Sequence, residues 1–214
     1  MENKLFENLN PDQKEAILLF DSPLLIIAGA GSGKTKVITH KIAYLVQKKI
    51  YSPFNLLGVT FTNRAANEMK NRIKSLTGID PNLFNISTFH SLGLRILRES
   101  VDTLGFDSEW QIIDDRDQKK IIENIIKENF NYFTNDMRER IRLKINSSKM
   151  NLVYPNNTNS LYDKGFDDDE VKIFSLYYKF QKENKIWDYE DLISFAVKLL
   201  QSNENIKLKY NMKF

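Results

Sequence analysis

The first third of the chain alternates short apolar runs with longer stretches in which apolar residues recur every three or four positions. Apolar runs at residues 24–28, 56–61 and 85–89 predict buried β-strands. The stretches after the first two runs place apolar side chains on one helical face: Val37, Ile38, Ile42, Leu45 and Val46, and then Ala65, Ala66, Met69, Ile73 and Leu76. Strands that alternate with amphipathic helices predict a parallel sheet with right-handed crossovers.

Beyond about residue 92 the pattern becomes helical, without obvious strands. Apolar stripes with helical spacing run through three stretches: Ile121, Ile122, Ile125 and Ile126; Ile141 and Ile145; and Val171, Phe174, Tyr177 and Tyr178. We therefore expect a helical insertion or a second subdomain after the part that contains the strands.

A helix start precedes the first apolar run. Asn10, Pro11 and Gln13 have the residue types of an N-cap, a first helical position and the third position of a capping box. The sequence therefore predicts a helix from this point, capped by Asn10 and Gln13.

Composition narrows the possible classes of protein. The chain has 214 residues, of which 42% are hydrophobic, so most of it has enough apolar side chains to fold. The absence of cysteine excludes disulfides, cysteine-ligated zinc and thiol catalysis, and two histidines give little support to a zinc site. The net charge of +3 does not by itself identify a nucleic-acid-binding protein.

The apolar pattern also bears on localisation. No apolar segment reaches the length of a signal peptide, and the longest run, residues 24–28, is too short to cross a bilayer. We expect a cytoplasmic protein that does not enter the membrane.

A glycine-rich segment joins the first predicted strand to the next predicted helix. It consists of Ala28, Gly29, Ala30, Gly31, Ser32, Gly33, Lys34 and Thr35. Strand, turn and helix together are the context of a Walker A loop, in which backbone N–H groups surround phosphate oxygens, the lysine reaches the β- and γ-phosphates and the hydroxyl ligates Mg²⁺. Ala28 stands where the strict pattern has glycine. The alternative is a glycine-rich turn that carries Gly-Lys-Thr by chance.

Four blocks of sequence occur in order along the chain: LNPDQ at 9–13, AGAGSGKT at 28–35, VTFTNRAANEM at 59–69 and STFHSLG at 87–93. Together they resemble the superfamily 1 DNA helicases of the UvrD/Rep/PcrA group. The resemblance implies an α/β fold, a RecA-like P-loop NTPase lobe with a parallel sheet that carries a mainly α-helical inserted subdomain. It implies a first part of the ATP-binding lobe at 1–91, the helical subdomain at 92–187 and a return to the lobe at 188–214.

The resemblance implies ATP and Mg²⁺ as cofactors and gives roles to single residues. Gln13 would read the adenine edge, because a carboxamide both donates and accepts hydrogen bonds. From the residues alone Gln13 would serve the helix cap, and both roles can hold together. Lys34 and Thr35 would be the catalytic residues of the loop, with Thr35 as the Mg²⁺ ligand.

Residues at the ends of the second and third predicted strands would contact single-stranded DNA. The resemblance gives this role to Phe61, Thr62, Asn63, Arg64, Thr88, Phe89 and His90. Phe61 would offer its ring to a base, and its neighbours would contact phosphate and sugar. Taken alone, Phe61 would more often be a core ring. His90 would bond backbone or phosphate rather than act as a general base or a metal ligand.

A basic stretch lies in the predicted helical region and contains Arg138, Arg140, Arg142 and Lys144. Residues at alternate positions spread around a helix, so a solvated surface is one interpretation. The other is contact with duplex DNA at a junction between single and double strands, because the inserted subdomain of the family lies against the duplex.

Hydrolysis of ATP in this class needs an acidic pair at the end of an apolar strand. Asp114 and Asp115 follow a short apolar run, and their position favours a cap on the helix of Ile121 and Ile125. Residues 188–193 resemble the family's return to the first lobe, and helix capping is a sufficient explanation of their carboxylates. In the family the acidic motif follows the segment that residues 192–214 resemble.

We therefore expect the N-terminal portion of an ATP-dependent 3′→5′ helicase that moves on single-stranded DNA in repair or replication, with proteins of those pathways as candidate partners. The chain itself is expected to be inactive in unwinding. Two alternatives remain open: a compact P-loop kinase or phosphotransferase, and a non-catalytic nucleotide-binding module that regulates a partner through its helical region. ATP turnover without DNA would favour the first, and a stop codon directly after Phe214 the second.

Overall fold

The computed structural model describes residues 5–100 and 110–214, which form two compact units. The first unit contains the described residues up to Phe89 together with Lys209–Phe214. The second unit contains the described residues between His90 and Leu208.

The first unit begins with two helices and then continues with a strand, a helix and a second strand. Its elements are α1 (Pro11–Leu18), α2 (Lys34–Gln47), β1 (Leu57–Thr60), α3 (Asn63–Thr77) and β2 (Asn85–Thr88), with short 3₁₀ turns at Pro53–Asn55 and Pro81–Leu83. The strands β1 and β2 run parallel, with Leu57 opposite Asn85 and Thr60 opposite Thr88. Two of the predicted strands and their parallel pairing are therefore confirmed.

The first predicted strand, at residues 24–28, does not form. Leu25 and Ile27 are 82% and 90% exposed, and this stretch of chain has no strand assignment. A strand needs a neighbouring strand to share its backbone hydrogen bonds, and in the described residues β1 and β2 pair only with each other. The prediction of a buried strand at residues 24–28 is wrong for this chain, because its apolar run has no strand to pair with.

The main core of the first unit lies between α2, α3 and the two strands. It contains Ile42, Val46, Ala66, Met69, Ile73, Phe84 and Ile86. Two further predicted core residues of α2, Val37 and Leu45, are also buried. Ile38 is 45% exposed, which corrects the prediction that it lies inside. Ile38 lies on the same helical face, but near the loop end of α2, where the described residues leave that face uncovered.

The second unit is helical, as its apolar stripes predict. Its elements are α4 (Phe89–Arg98, from His90 onward), β3 (Gln111–Ile112), α5 (Asp115–Asn129), α6 (Asn135–Met150), α7 (Thr158–Asp163), α8 (Asp168–Glu183), β4 (Ile186–Trp187), α9 (Tyr189–Ser202) and α10 (Glu204–Lys213, to Leu208). Its largest core joins α5, α6, α7 and α8 through residues such as Ile126, Ile145, Leu161 and Phe174.

The expectation that no strands follow residue 92 is corrected by β3 and β4. These strands pair in parallel, with Gln111 opposite Ile186 and Ile112 opposite Trp187. Each has two residues, too few for a periodic pattern to reveal in the sequence.

Over the described ranges, the structure contains no helix that combines the length and the apolar character needed to span a bilayer.

Candidate functional site

The glycine-rich segment forms a tight bend that leads directly into α2. Gly31 and Gly33 adopt left-handed backbone angles, with φ of 76° and 88°. Residues that carry a Cβ rarely adopt these backbone angles, so glycine suits both positions. Gly33 is the N-cap of α2 and gives it no side-chain cap, so the first N–H groups of the helix remain available to a ligand.

Lys34 bends back over this loop. Its Nζ atom donates hydrogen bonds to the carbonyl oxygens of Ala28, at 2.8 Å, and Gly29, at 2.6 Å. The Ser32 hydroxyl also donates to Gly29, at 2.8 Å. The loop, including Ala30, is exposed and carries one ammonium group held only by backbone carbonyls.

Gln13 connects the cap of α1 to the loop. Its Oε1 atom accepts from the backbone N–H of Asn10 at 3.1 Å, and Asn10 Oδ1 accepts from the N–H of Gln13 at 2.8 Å, which confirms the predicted capping box. Its Nε2 atom donates to the carbonyl of Ser32 at 3.0 Å. Gln13, Ala28, Ser32 and Lys34 line one depression of about 220 Å³. The structure thus brings the predicted adenine-reading residue to the edge of the loop.

Thr35 faces a different depression. This open cleft of about 420 Å³ is lined by Thr35 on α2 and by Glu68, Asn71, Arg72 and Ser75 on α3. Thr35 is exposed, so its hydroxyl is accessible at the start of the helix. In the part of the chain that is described, no three His, Cys, Asp or Glu residues gather in a group that could hold a metal ion.

The residues of the bend fit a polyphosphate. Two left-handed glycines, the uncapped start of a 14-residue helix and one exposed ammonium concentrate hydrogen-bond donors and positive charge on one side of the loop. A Cβ built at Gly29 or Gly31 would meet no atom within 4 Å, so the space beside these two glycines is open. Phosphate oxygens would be held by Lys34 and the N–H groups of the bend, and a Mg²⁺ ion by Thr35.

The ends of β1 and β2 place two aromatic rings side by side. Because Thr60 lies opposite Thr88, the residues that follow them, Phe61 and Phe89, leave the same edge of the parallel pair. Their ring centroids are 5.4 Å apart, and the side chains are 85% and 39% exposed. Phe61 is therefore not a core ring, and its face is accessible to solvent.

The polar residues after Phe61 have local partners. Thr62 is the N-cap of α3, with its hydroxyl oxygen accepting from the N–H of Ala65 at 3.1 Å. Asn63 is exposed at the first helical position. The guanidinium of Arg64 lies 3.1 Å from the carboxylate of Glu68, and both side chains are largely exposed. This weak surface pair leaves Arg64 free to exchange its partner for a phosphate.

Thr88 and His90 are less accessible than Phe61. Thr88 is buried at the end of β2, with 6% exposure. His90 lies at the second position of α4, in the second unit, and is partly buried. Its ring contacts the Tyr189 ring edge to face, with centroids 5.6 Å apart. The sequence gives no sign of this Tyr189 contact.

A buried lysine in the second unit was not predicted from the sequence. Lys149 on α6 has no exposed surface. Its Nζ atom donates to Asp188 Oδ2 at 2.7 Å, Asp191 Oδ2 at 2.8 Å and Gln181 Oε1 at 2.8 Å. All three ammonium donors are therefore satisfied inside the unit, as a buried charge requires. We call Lys149, Asp188 and Asp191 the buried ionic cluster.

Neutral side chains complete the hydrogen bonding of the buried ionic cluster. Asp188 Oδ2 also accepts from the Tyr177 hydroxyl at 2.7 Å and from Gln118 Nε2 at 2.9 Å. Asp191 Oδ1 accepts from the Tyr154 hydroxyl at 3.2 Å. These partners come from α5, α8 and the segment after α6, so together with Lys149 on α6 they link four parts of the chain to the start of α9.

Two carboxylates share one ammonium in this cluster, and their pKa values move in opposite directions. Burial raises the pKa of Asp191 to about 6, with Asp188 adding to the rise and Lys149 opposing it. Burial also acts to raise the pKa of Asp188, but the ammonium of Lys149 outweighs it and holds that pKa below its usual range. The pKa of Lys149 is raised, because the two carboxylates outweigh its burial.

The carboxylates at helix starts behave partly as predicted. Asp114 caps α5 by accepting from the N–H groups of Arg116 and Asp117, both at 2.9 Å. Asp188 and Asp191 form a reciprocal capping box on α9, as the capping interpretation predicts. Capping alone is not a sufficient explanation of these two carboxylates, however, since both also bind Lys149.

The basic stretch on α6 has acidic and polar partners inside the unit. Arg142 binds Glu139 at 2.6 Å and Gln118 at 3.3 Å, and Lys144 pairs with Glu170. Arg140 lies 3.5 Å from Glu170. Arg138 has a buried Nε atom without a hydrogen-bond partner in the described structure. A continuous row of free cations is therefore not present, and contact with duplex DNA stays a prediction.

Comparison with known proteins identifies the class to which this loop and these strand ends belong. Residues 9–214 match the model of the UvrD/REP helicase N-terminal domain, and the chain belongs to that family. It is 40% identical over 213 residues to the ATP-dependent DNA helicase PcrA of Bacillus subtilis, and 37% and 38% identical to the PcrA helicases of Staphylococcus aureus and Staphylococcus epidermidis.

The match covers nearly the whole of this chain but a minority of each relative. It extends over 99% of the chain and 29% of each of these three helicases. The similarity therefore identifies the family of the chain, whereas the activity of the complete relatives concerns a protein more than three times as long.

Proposed function

We propose that this chain is the N-terminal portion of an ATP-dependent DNA helicase that moves 3′→5′ on single-stranded DNA, acting at junctions of single and double strands in repair or replication in the cytoplasm. The proposal includes a division into an ATP-binding lobe at 1–91, a helical subdomain at 92–187 and a return to the lobe at 188–214. The observation that carries it is the glycine bend at residues 28–35, which leads into an uncapped helix start, in a chain of this family.

The nucleotide roles follow from the chemistry of the bend. Lys34 would exchange two carbonyl partners for the β- and γ-phosphates, and the N–H groups at the start of α2 would hold phosphate oxygens. Gln13 would present its carboxamide to the adenine edge from its place beside Ser32. ATP with Mg²⁺ supplies the free energy of γ-phosphate hydrolysis, which the complete protein would couple to movement.

The DNA role is supported by the exposed rings at the ends of β1 and β2. Phe61 presents a largely solvated ring, and stacking of a base on such a ring is worth ~1–3 kcal/mol. Thr62, Asn63 and Arg64 follow it at the start of α3, where N–H groups and a cation suit phosphate oxygens. Thr88, Phe89 and His90 are assigned to the same role. Such contacts carry no base preference, as movement along DNA requires.

A titration of Mg²⁺-ATP into the chain tests the nucleotide site. We expect Lys34→Ala to abolish measurable binding, because the phosphates lose their ammonium partner. Lys36→Ala is the matched control on the same helix, since the Lys36 ammonium instead donates to the Asn8 carbonyl at 2.6 Å. Equal affinity in the parent chain and in both variants would contradict the assignment of residues 28–35.

A titration with fluorescent oligothymidylate at low salt tests the DNA surface. We expect Phe61→Ala to weaken binding by ~1–3 kcal/mol, the value of one stacked base. Phe54, a ring of the same unit with 56% exposure, provides the matched control, and Phe54→Ala should leave the affinity unchanged. If both variants bind like the parent chain, Phe61 is not a stacking surface.

Turnover assays separate the competing functions. We expect no DNA-stimulated ATP hydrolysis by the 214-residue chain, because the acidic pair that follows an apolar run, Asp114 and Asp115, lies at the start of α5, where Asp114 caps the helix. DNA-stimulated turnover that disappears in Lys34→Ala would overturn this expectation. ATP turnover without DNA would instead favour a kinase or phosphotransferase, and a regulatory module would bind ATP without binding oligothymidylate.

A further inference from the structure

The first turn of α9 is fixed by the buried ionic cluster. Asp188 is the N-cap of this helix and Asp191 its third residue, and each accepts the other's backbone N–H at 3.1 Å. Both carboxylates also bind the Lys149 ammonium, at 2.7 and 2.8 Å. The cap of α9 is therefore held by a charge on α6, which lies about 40 residues earlier in the chain.

The same turn of α9 meets the beginning of α4 at two points. Tyr189 lies edge to face against His90, with ring centroids 5.6 Å apart and an interplanar angle of 75°. One turn further along α4, a Cβ added to Gly93 would lie 3.0 Å from the carbonyl carbon of Leu192, and nearer still to its oxygen. The two helices are thus in backbone contact, and a shift of α9 must displace the start of α4.

We propose that Lys149 is a positioning residue for His90, because it fixes the first turn of α9 against which the His90 end of α4 packs. All the contacts that connect Lys149 to His90 lie within the second unit. The assignment of His90 to the DNA surface rests on the proposed function, whereas its placement by Lys149 does not.

The contacts of the cluster explain how removal of Lys149 would affect the position of His90. Without its ammonium, Asp188 and Asp191 would face each other in a site with 1% exposure at each residue. Arg142 joins the network through Gln118 and also binds Glu139, so its contacts are with these residues rather than with either aspartate. Loss of Lys149 would therefore remove the two hydrogen bonds that hold the first turn of α9 to α6, and Tyr189 would no longer be fixed against His90.

The imidazole NMR signals of the 214-residue chain provide the test. The chain contains two histidines, His40 in the first unit and His90 in the second, so each ring can be assigned with His90→Gln. We expect Lys149→Met to shift the His90 signals, through loss of the Tyr189 ring current, and to leave those of His40 in place. Unshifted His90 signals in folded Lys149→Met would overturn the proposal.

A cavity variant distinguishes positioning from general loosening of the unit. Leu161 on α7 is fully buried but gives no group to the cluster, so Leu161→Ala should loosen the core without moving His90. Gly93→Ala should shift the His90 signals while leaving Lys149 and its partners intact. Equal His90 shifts in Leu161→Ala and Lys149→Met would contradict a specific role for Lys149.

A charge-neutral variant covers the case in which Lys149→Met does not fold. K149M combined with D188N and D191N removes the cluster's charges together and keeps asparagine, a good N-cap, at position 188. Unaltered His90 signals in this variant would overturn the proposal, and displaced signals would support it.

Oligothymidylate affinity separates failure of this inference from failure of the proposed function. We expect Lys149→Met and His90→Ala each to weaken binding by roughly 5-fold, the value of about one hydrogen bond. If His90→Ala has no effect, the DNA role of His90 is wrong, and the NMR result alone decides whether Lys149 positions it.

Discussion

Two lysines show how differently the two units use a positive charge. Lys34 in the first unit is exposed, and its ammonium donates to two carbonyl oxygens of its own loop. Lys149 in the second unit is fully buried, and its ammonium donates to three side chains from distant parts of the sequence. A cation that binds a ligand must be able to leave its resting partners, whereas a buried cation must keep all of them.

The same difference extends to the surroundings of the two lysines. In the first unit the predicted site residues lie mostly at the exposed ends of elements, as with Phe61 directly after β1 and Asn63 at the start of α3. In the second unit the polar groups around Lys149 lie inside the helical core. The first arrangement leaves groups available for binding, and the second specifies how the helices pack.

Replacement of these two lysines should produce the largest difference between the units, and the difference concerns their free energies of unfolding. We expect Lys149→Met to lower the free energy of unfolding of the second unit by ~3–5 kcal/mol, because it leaves two buried carboxylates without a cation. Lys34→Met should change the stability of the first unit by no more than about 0.5 kcal/mol, since its ammonium is exposed.

Urea unfolding followed by two signals can measure both values. Trp110 and Trp187 are the chain's two tryptophans, stack at 5.1 Å and belong to the second unit, so their fluorescence reports on it. The imidazole signals of His40 report on the first unit. Equal losses in the two variants would contradict the distinction between an exchangeable and a structural lysine.

A smaller effect is expected from pH, and it concerns the buried ionic cluster. The pKa of Asp191 rises from an ordinary 3.8 to about 6 in the folded chain, so the folded state binds more protons than the unfolded state between these values. The contribution of Asp191 to stability is therefore present at low pH and is lost as pH rises from about 4 to about 6.

Asp191→Asn isolates this contribution, because asparagine mimics the protonated acid at every pH. We expect the stability of Asp191→Asn relative to the parent chain to increase by on the order of 1–3 kcal/mol between pH 4 and pH 7, as measured by tryptophan fluorescence. Asp188, whose pKa is lowered, contributes in the opposite sense and only at more acidic pH. A constant difference across this range would contradict the raised pKa of Asp191.

The smallest effect should come from the backbone of the loop. We expect Gly31→Ala to destabilise the first unit by about 1–2 kcal/mol, because Gly31 has a φ of 76° that alanine adopts only with strain. Gly29→Ala is the matched control: its added Cβ would also meet no atom within 4 Å, and its φ is not in the left-handed region. Equal stabilities of the two variants, by the His40 signals, would show that the bend needs no glycine at position 31.

Local patterns predicted most helices and strands of the first unit, but not which apolar run would lack a partner strand. The apolar spacing predicted β1, β2 and the helices α2 and α3, and the residue types at 10–13 predicted the capping box of α1. The apolar run at 24–28 looks like a strand by the same criteria, but strand formation depends on a partner elsewhere in the chain. The division at residues 91 and 187 and the roles of the site residues stay predictions.

The sequence by itself determined the glycine-rich loop, the amphipathic helices and the family resemblance, because each depends on residues close together in the chain. The tertiary structure alone decided that Phe61 and Phe89 lie side by side, that Tyr189 contacts His90 and that Lys149 is enclosed by Asp188 and Asp191. The energy of a buried charge depends on which groups surround it in space, and residues 149 and 188 carry no local pattern that predicts their meeting.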